Sequence, residues 1–201
     1  MSDEAVAALR AGQLVVLPTD TVYGLCADAH REPPCRRLYA AKQRPETMPV
    51  QVLAADLDGI LEAVPEALGR AAVVARALLP GPYTLILPNP ARRFRWLTGT
   101  RPETIGVRVP DLPPQAFEVV RSVGLVASTS ANRHGEPDPA RPGDIHREIL
   151  DACGAVVDAG ELPGTPSTVV DLTGPDPTVL REGAVTAEEA LGAAAAALAA
   201  Q

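Results

Sequence analysis

The chain has 201 residues, 46% of them hydrophobic, and a formal net charge of −7. That length carries one domain with a sizeable core, and that charge excludes an overall basic footprint for nucleic acid, though not a local basic face. No apolar run reaches the length of a membrane span, and Met1-Ser2-Asp3-Glu4 lacks the basic and apolar stretches of an export signal, so a cytoplasmic protein with no membrane role is expected. Aromatic residues make up only 3%, so the core must rest on Val, Leu, Ile and Ala. Cys26, Cys35 and Cys153 form no Cys-x-x-Cys pair and no metal-ligand spacing, which suits a reducing compartment.

Ser2 is placed to cap a short helix through Leu9, with Asp3 and Glu4 in its first turn and Gly12 past its end. Residues 14–17 are a short apolar run and read as a buried strand, which Pro18 closes because it has no N–H to give. Thr19, Asp20, Thr21 and Tyr23 follow before Gly24. A buried strand entering a polar turn is the usual place for chemistry in an α/β fold, because the sheet holds the loop still; an ordinary loop is the alternative. Pro33 and Pro34 open a second helix that runs through Leu38 and Tyr39 towards Lys42. Residues 50–54 read as a strand. A longer helix is expected over 65–79, stopped by Pro80-Gly81-Pro82, and a strand over 83–87. Residues 92–102 have no clear period and set Arg92, Arg93, Arg95 and Arg101 around Phe94 and Trp96. A strand over 104–109, a helix over 114–123 closed by Gly124, and a short buried strand over 125–127 come next. Residues 128–138 read as a polar loop, 143–153 as a helix, and 155–157, 168–172 and 178–180 as strands. Thr186 with Glu189 is a capping-box pattern, and it opens an alanine-rich helix with a packing or fraying role. Strands and helices alternate without repeats or long linkers, so the class is α/β with one mixed, twisted sheet.

Five segments carry residues suited to chemistry. Lys42-Gln43-Arg44-Pro45 ends the second helix; two cations at a helix-to-loop junction suit a polyphosphate, or simply a solvated helix C-terminus. Arg108 lies within an apolar strand, which is costly unless it is paired. It either faces solvent or binds a carboxylate, and Thr104 shares its strand face. Ser128-Thr129-Ser130-Ala131-Asn132 is a dense set of donors and acceptors at a strand end. No Gly-x-Ser-x-Gly and no suitably spaced histidine activates a serine there, so it reads as a binding loop or a local turn. Ser167-Thr168-Val169-Val170-Asp171 is a polar entry into an apolar strand, and Arg181-Glu182-Gly183 sets another isolated arginine after a strand. His30, His134 and His146 lack metal spacing. There is no P-loop and no Gly-x-Gly-x-x-Gly, so a nucleotide site must be of another kind.

In this order, these segments resemble the YrdC-like family of threonylcarbamoyl-AMP synthases. The resemblance runs through Pro18-Thr-Asp-Thr-Val-Tyr-Gly-Leu25, Lys42-x-Arg44 with Pro49, and Pro80-Gly-Pro-x-Thr84. It continues through Gly106-Val-Arg-Val-Pro110, Ser130-Ala-Asn132, Ser167-Thr-Val-Val-Asp171 and Leu180-Arg-x-Gly183, spanning roughly Leu14 to Val185. It implies a single YrdC-like catalytic domain over 1–185 with a large concave cleft, and a C-terminal helix over 186–201 packed on it or fraying from it. The further C-terminal domain of longer members is expected to be missing.

The resemblance also implies a reaction in which L-threonine, bicarbonate and ATP give threonylcarbamoyl-AMP and pyrophosphate, for threonylcarbamoylation of tRNA adenosine 37. tRNA would be engaged directly or through a partner threonylcarbamoyl transferase. Lys42 and Arg44 match catalytic and ATP-binding positions, and Thr104, Asn132 and Arg181 further ATP contacts. Thr21, Arg108, Ser130 and Ser167 match the L-threonine site. Mg2+ is expected with ATP and no metal site in the protein itself. Two departures are Met48 and Leu53, where the family often carries Asn and His. Leu53 neither donates nor accepts a side-chain hydrogen bond, so that corner of the threonine pocket must be closed by another group. Competing readings are a carbamoyl-adenylate-forming relative, and an RNA-binding or ribosome-associated module that uses residues 92–101.

Overall fold

Apolar residues alternate along the strands, and the alternation sorts them into two cores on opposite faces of one sheet. The structure, a computed structural model, describes residues 2–65 and 68–200. In chain order the elements are α1 (Ser2–Arg10), β1 (Leu14–Pro18), β2 (Tyr23–Asp28), α2 (Glu32–Lys42), β3 (Gln51–Ala54), α3 (Leu57–Ala63) and α4 (Arg70–Leu78). They continue with β4 (Tyr83–Pro88), β5 (Thr104–Arg108), α5 (Pro114–Val123), β6 (Leu125–Ser130) and α6 (Arg147–Asp151). Last come β7 (Cys153–Val156), β8 (Thr168–Asp171), β9 (Thr178–Arg181) and α7 (Ala187–Ala199). The described strands form one mixed sheet in the order β7-β1-β2-β6-β3-β5-β4-β8-β9. This is the α/β architecture, a twisted mixed sheet with flanking helices, that the alternation of elements predicts.

The two faces are covered unequally. One face packs under α2, α3, α4, α6 and α7, whose buried residues include Leu38, Tyr39, Ile60, Val74, Leu78, Ile149 and Ala190. The other face packs only under α1 and α5, through Ala5, Ala8, Leu9, Ala116, Val119 and Val120. These six meet Val15, Leu17, Cys26, Leu53 and Val126, which belong to β1, β2, β3 and β6. On the same face β5 and β4 carry Gly106, Arg108 and Thr84 instead, and no helix covers them there. The uncovered half of that face becomes the floor of a cleft.

Several elements differ from the sequence reading. The first strand is expected to enter a polar turn with no strand directly after it, but Tyr23–Asp28 form β2, a fully buried strand in an antiparallel hairpin with β1. The tight connection holds because the Thr19 hydroxyl accepts from Thr21 N at 3.2 Å and Val22 N at 3.3 Å and donates to Val22 O at 2.7 Å. The helix expected over 65–79 begins at Arg70; positions 66 and 67 lie outside the described residues. A further helix, α3, precedes it, and Asp56 Oδ1 caps it by accepting from Gly59 N at 2.8 Å. The helix expected over 143–153 is a 3-10 turn at Pro142–Asp144 and the short α6. Ile145 between them is extended, and Cys153 already belongs to β7. Ser128, Thr129 and Ser130 are strand and not loop, because their ladder with β2 continues to the Gly24–Ser130 pair. The capping box of Thr186 and Glu189 forms at both of its bonds, and α7 buries Ala190 and Ala194 beside α4.

The thinly covered face makes α1 sensitive to truncation. Leu9 is fully buried, and Leu9→Ala should cost about 2–4 kcal/mol. Urea unfolding with an unchanged slope, and a Tm lower by about 4–16 °C, are the expected results.

Candidate active site

A cavity of about 380 Å³ opens on the uncovered half of the sheet. Its floor is formed by Gln51 of β3, Gly106 and Arg108 of β5, Thr84 and Ile86 of β4, and Ser128 of β6. The C-terminal end of α2, the Ser130–Asp138 stretch and the Ser167–Arg181 corner form its walls. A volume of that size suits a drug-sized ligand.

The turn after α2 aims two cations inward. Gln43 takes a left-handed conformation (φ 53), its N–H bonds to Ala40 O, and Arg44 N bonds to Tyr39 O at 2.9 Å. The chain thus folds back at once, and both Lys42 and Arg44 line the cavity. The buried Lys42 ammonium donates to Ser130 O at 2.7 Å and Asn132 O at 2.9 Å, and also meets Asn132 Oδ1. An ammonium has three donors, so Lys42 is committed to ordering the Ser130-Ala131-Asn132 segment. Ser130 Oγ donates to Asn132 Oδ1 at 2.7 Å, and the Asn132 amide donates to Glu136 O, which ties the Arg133–Asp138 wall to the same lysine. Burial is the main reason the Lys42 pKa falls to about 8, with Arg44 adding repulsion and Asp138 and Glu136 opposing it.

Three arginines share one design. Arg44 Nη2 donates to Pro49 O at 3.0 Å, Arg181 Nη2 to Ser167 O at 2.8 Å, and Arg108 Nη2 to Thr21 Oγ1 at 2.6 Å and to Asp20 Oδ1. One edge of each guanidinium is anchored, and the Nη1 groups have no protein acceptor among the described residues. Nε of Arg44 and of Arg108 is buried without a partner. Burial depresses the pKa of Arg44 and of Arg108, and repulsion from Arg181 adds to both, although each keeps its charge. Asp20 holds Arg108 from the hairpin turn, and its Oδ2 accepts from Asp111 N at 3.2 Å. The Cys26 thiol, in the covered core under α1 and α5, is pushed up to about 12 by burial, which makes it inert.

Of the residues singled out in the sequence, Lys42, Arg44, Arg108, Ser130, Asn132, Ser167 and Arg181 line this one cavity. Two do not. Thr21 is fully buried, and its hydroxyl lies between Arg108 and Thr19 Oγ1, so it acts on the cavity only through Arg108. Thr104 lies beyond Gly106 at the start of β5, and its hydroxyl donates to Arg101 O at 3.1 Å. Sequence reasoning missed Gln51 and left Thr84 and Asp20 without roles. Thr84 and Asp20 stood inside quoted motifs; the signal for Gln51 was a lone amide opening an otherwise apolar strand. Leu53, where another group was needed, packs into the core under α1 and α5. Arg92, Arg93 and Arg95 are exposed and line none of this cavity. Among the described residues no group of three or more His, Cys, Asp or Glu side chains could hold a metal ion, and the cavity wall offers only the carboxylates of Glu136 and Asp138.

The model of the Sua5_yciO_yrdC family, described as "Telomere recombination", matches residues 7–183. A Mycobacterium tuberculosis protein named putative threonylcarbamoyl-AMP synthase is 40% identical over 201 residues, covering 96% of this chain and 90% of that one. The threonylcarbamoyl-AMP synthase of Bacillus subtilis is 33% identical, covering 92% of this chain and 54% of its own length. Among solved structures, Pyrococcus abyssi Sua5 complexed with L-threonine superposes with a TM-score of 0.82 at 32% identity, covering 94% of this chain and 56% of that one. The chain thus spans about half the length of these last two proteins.

The geometry around Arg181 depends on a glycine. A Cβ on Gly183 would stand 2.2 Å from Pro166 O and 2.7 Å from Ser167 O. Gly183→Ala should therefore displace the Ser167–Arg181 corner and lower the Tm. Gly192→Ala in α7 meets nothing within 4 Å and should raise stability by about 0.5–1 kcal/mol. Thermal melts of the two variants beside the parent check both signs.

Proposed function

Because the chain belongs to the Sua5/YciO/YrdC family, we propose that it is a threonylcarbamoyl-AMP synthase, a nucleotidyltransferase that converts L-threonine, bicarbonate and ATP to threonylcarbamoyl-AMP and pyrophosphate. The observation that carries this reading is the convergence of Lys42, Arg44, Arg108 and Arg181 on one cavity without a P-loop. Such a site suits two anions held side by side, a carboxylate and a polyphosphate.

In this reading Arg108, steadied by Asp20 and Thr21, takes the threonine carboxylate with its free edge. Ser130 and Ser167 supply small polar partners for the rest of the amino acid. Arg44 and Arg181 take phosphate oxygens, Lys42 contributes its charge while holding Asn132 in place, and Thr104 is a more distant nucleotide contact. The threonine amine attacks CO2 to form a carbamate with loss of a proton, or bicarbonate to form it with loss of water. A carbamate oxygen then attacks the α-phosphorus in line, its P–O bond forms as the bond to pyrophosphate breaks, and no covalent enzyme intermediate is needed. Catalysis rests on positioning and on fixed positive charge in a partly desolvated cavity. Mg2+ is proposed to enter with ATP and to neutralise phosphate charge. Glu136 and Asp138 are the carboxylates nearest to hand in the cavity wall, and phosphate oxygens and water would complete the shell.

The product is a reactive mixed anhydride, so a transferase acting on adenosine 37 of tRNA is proposed to consume it, with tRNA bound here or by that partner. No helix among the described residues is long and apolar enough to cross a membrane, and a cytoplasmic location is part of the same proposal.

Pyrophosphate release from ATP tests the reading directly: it should require both L-threonine and bicarbonate, and release without an amino acid would sink it. Arg44→Ala should weaken ATP binding with the Tm little changed, and Arg108→Ala threonine binding with a lower Tm because Asp20 loses its partner, each by about 10- to 100-fold in affinity. Equal loss of both ligands from either variant would mean a structural role. A pH dependence follows from Lys42, which titrates near 8 in the free protein. Bound polyphosphate favours the charged lysine and raises that pKa, so binding takes up a proton between the two values. ATP affinity should therefore fall as pH rises through about 8. Calorimetry in buffers of different ionisation enthalpy would register the proton, and Lys42→Met should abolish the uptake.

A further inference from the structure

Gln51 has a fixed orientation and an unused donor. Its Oε1 accepts from Thr84 Oγ1 at 2.7 Å. Thr84 thereby commits its hydrogen, so Ser167 is the donor in the 2.8 Å bond between Ser167 and Thr84. Arg181 Nη2 in turn lies 3.3 Å from Ser167 Oγ. The relay runs Arg181, Ser167, Thr84, Gln51, and it ends by turning the Gln51 amide nitrogen away from Thr84. That nitrogen has no protein acceptor among the described residues, and Gln51 lines the cavity.

The relay crosses a strand. Gln51 is on β3 and Thr84 on β4, with β5 between them. Gly106 of β5 makes the crossing possible: a Cβ there would lie 3.5 Å from Gln51 Cβ and 3.6 Å from Ile86 Cδ1, and any longer side chain would fill the space over the strand. The amide therefore stands over the middle of the cavity floor. Arg108 follows two residues along β5 on the same face, and the relay links Gln51 on its other side to Arg181.

We propose that Gln51 is a substrate-contacting residue whose amide N–H donates to the nascent carbamate oxygen of the amino-acid substrate. This rests on the synthase reading. In that reading the carbamate must lie between the carboxylate held by Arg108 and the phosphates held by Arg181, and Gln51 occupies that interval. Attack of the amine on CO2 forms a C–N bond, moves an electron pair onto an oxygen that carried no full charge, and releases the amine proton to solvent. An oriented N–H donor at that oxygen favours the step in the manner of an oxyanion hole. When the other carbamate oxygen attacks phosphorus, the oxygen facing Gln51 becomes a carbonyl and remains an acceptor. Gln51 also stands two residues before Leu53 on the same strand face, so it is the polar group nearest in sequence to the corner that Leu53 leaves without one.

The test uses the full chain and pyrophosphate release with bicarbonate varied at saturating ATP and L-threonine. Gln51→Leu should lower kcat/KM for bicarbonate by about 10- to 100-fold. Gln51→Glu keeps an acceptor for Thr84 but sets a carboxylate against the carbamate, and should fall below Gln51→Leu. Calorimetric affinities for ATP, and for L-threonine without bicarbonate, should stay within about threefold of the parent, which a merely structural role would not predict. Bicarbonate kinetics equal to the parent in both variants would overturn the assignment while leaving the synthase reading intact. So would a parallel loss of ATP affinity and Tm. If the parent itself releases no pyrophosphate with threonine and bicarbonate, the synthase reading falls and this assignment falls with it.

Discussion

Four cations face one cavity, Lys42, Arg44 and Arg108 among them lose hydration, and the structure is arranged around containing that cost. Each has a fixed partner. Lys42 is held by two main-chain oxygens and an amide, Arg108 by Asp20 and Thr21, Arg44 by a carbonyl after α2, and Arg181 by the Ser167 carbonyl. Only one of these partners is a carboxylate. Carbonyls and hydroxyls orient a cation without neutralising it, so the cavity stays positive while its side chains stay ordered. The depressed pKa of Lys42, Arg44 and Arg108 expresses the same tension, and an incoming anion relieves it.

The sheet makes this arrangement affordable by leaving one half-face bare. Helices α1 and α5 seal β1, β2, β6 and β3 with small and branched residues, and they stop short of β5 and β4. A fully covered face would have demanded apolar residues at 84, 106 and 108. The bare half instead accepts Thr84, Gly106 and Arg108, which line the cavity. Fold and chemistry are thus linked through topology: the crossover by α5 lies over β3 and β6, and the cleft is what it does not reach.

Much of this was legible in the chain. Val and Leu alternation, Pro and Gly punctuation and the Thr186–Glu189 cap locate most strands and α7, because those signals are local. An arginine amid apolar neighbours at 108 and paired cations at 42 and 44 mark candidate anion sites, with solvent exposure as the alternative at each. What stayed hidden depends on partners far along the chain. The strand Tyr23–Asp28 goes unread until it is paired with β6, and Ser128-Thr129-Ser130 read as loop until the same ladder is drawn. Thr21 and Arg108 both stood out, but their direct bond, which ties Thr21 to the site through Arg108, joins residues 87 positions apart.

The most distant dependence is the one between Gly106 and Gln51. A glycine in a strand interior is locally unfavourable, and a glutamine at the start of an apolar strand is unremarkable by itself. Together with Thr84 they form one device, since the missing side chain is what lets an amide on β3 meet a hydroxyl on β4. The hydroxyls of Thr84 and Ser167, whatever else they touch, fix which end of the amide faces the cavity. A single flipped amide would present an acceptor where the surrounding cations call for an anion, so the chain of bonds from Arg181 sets the polarity of the floor as much as its shape.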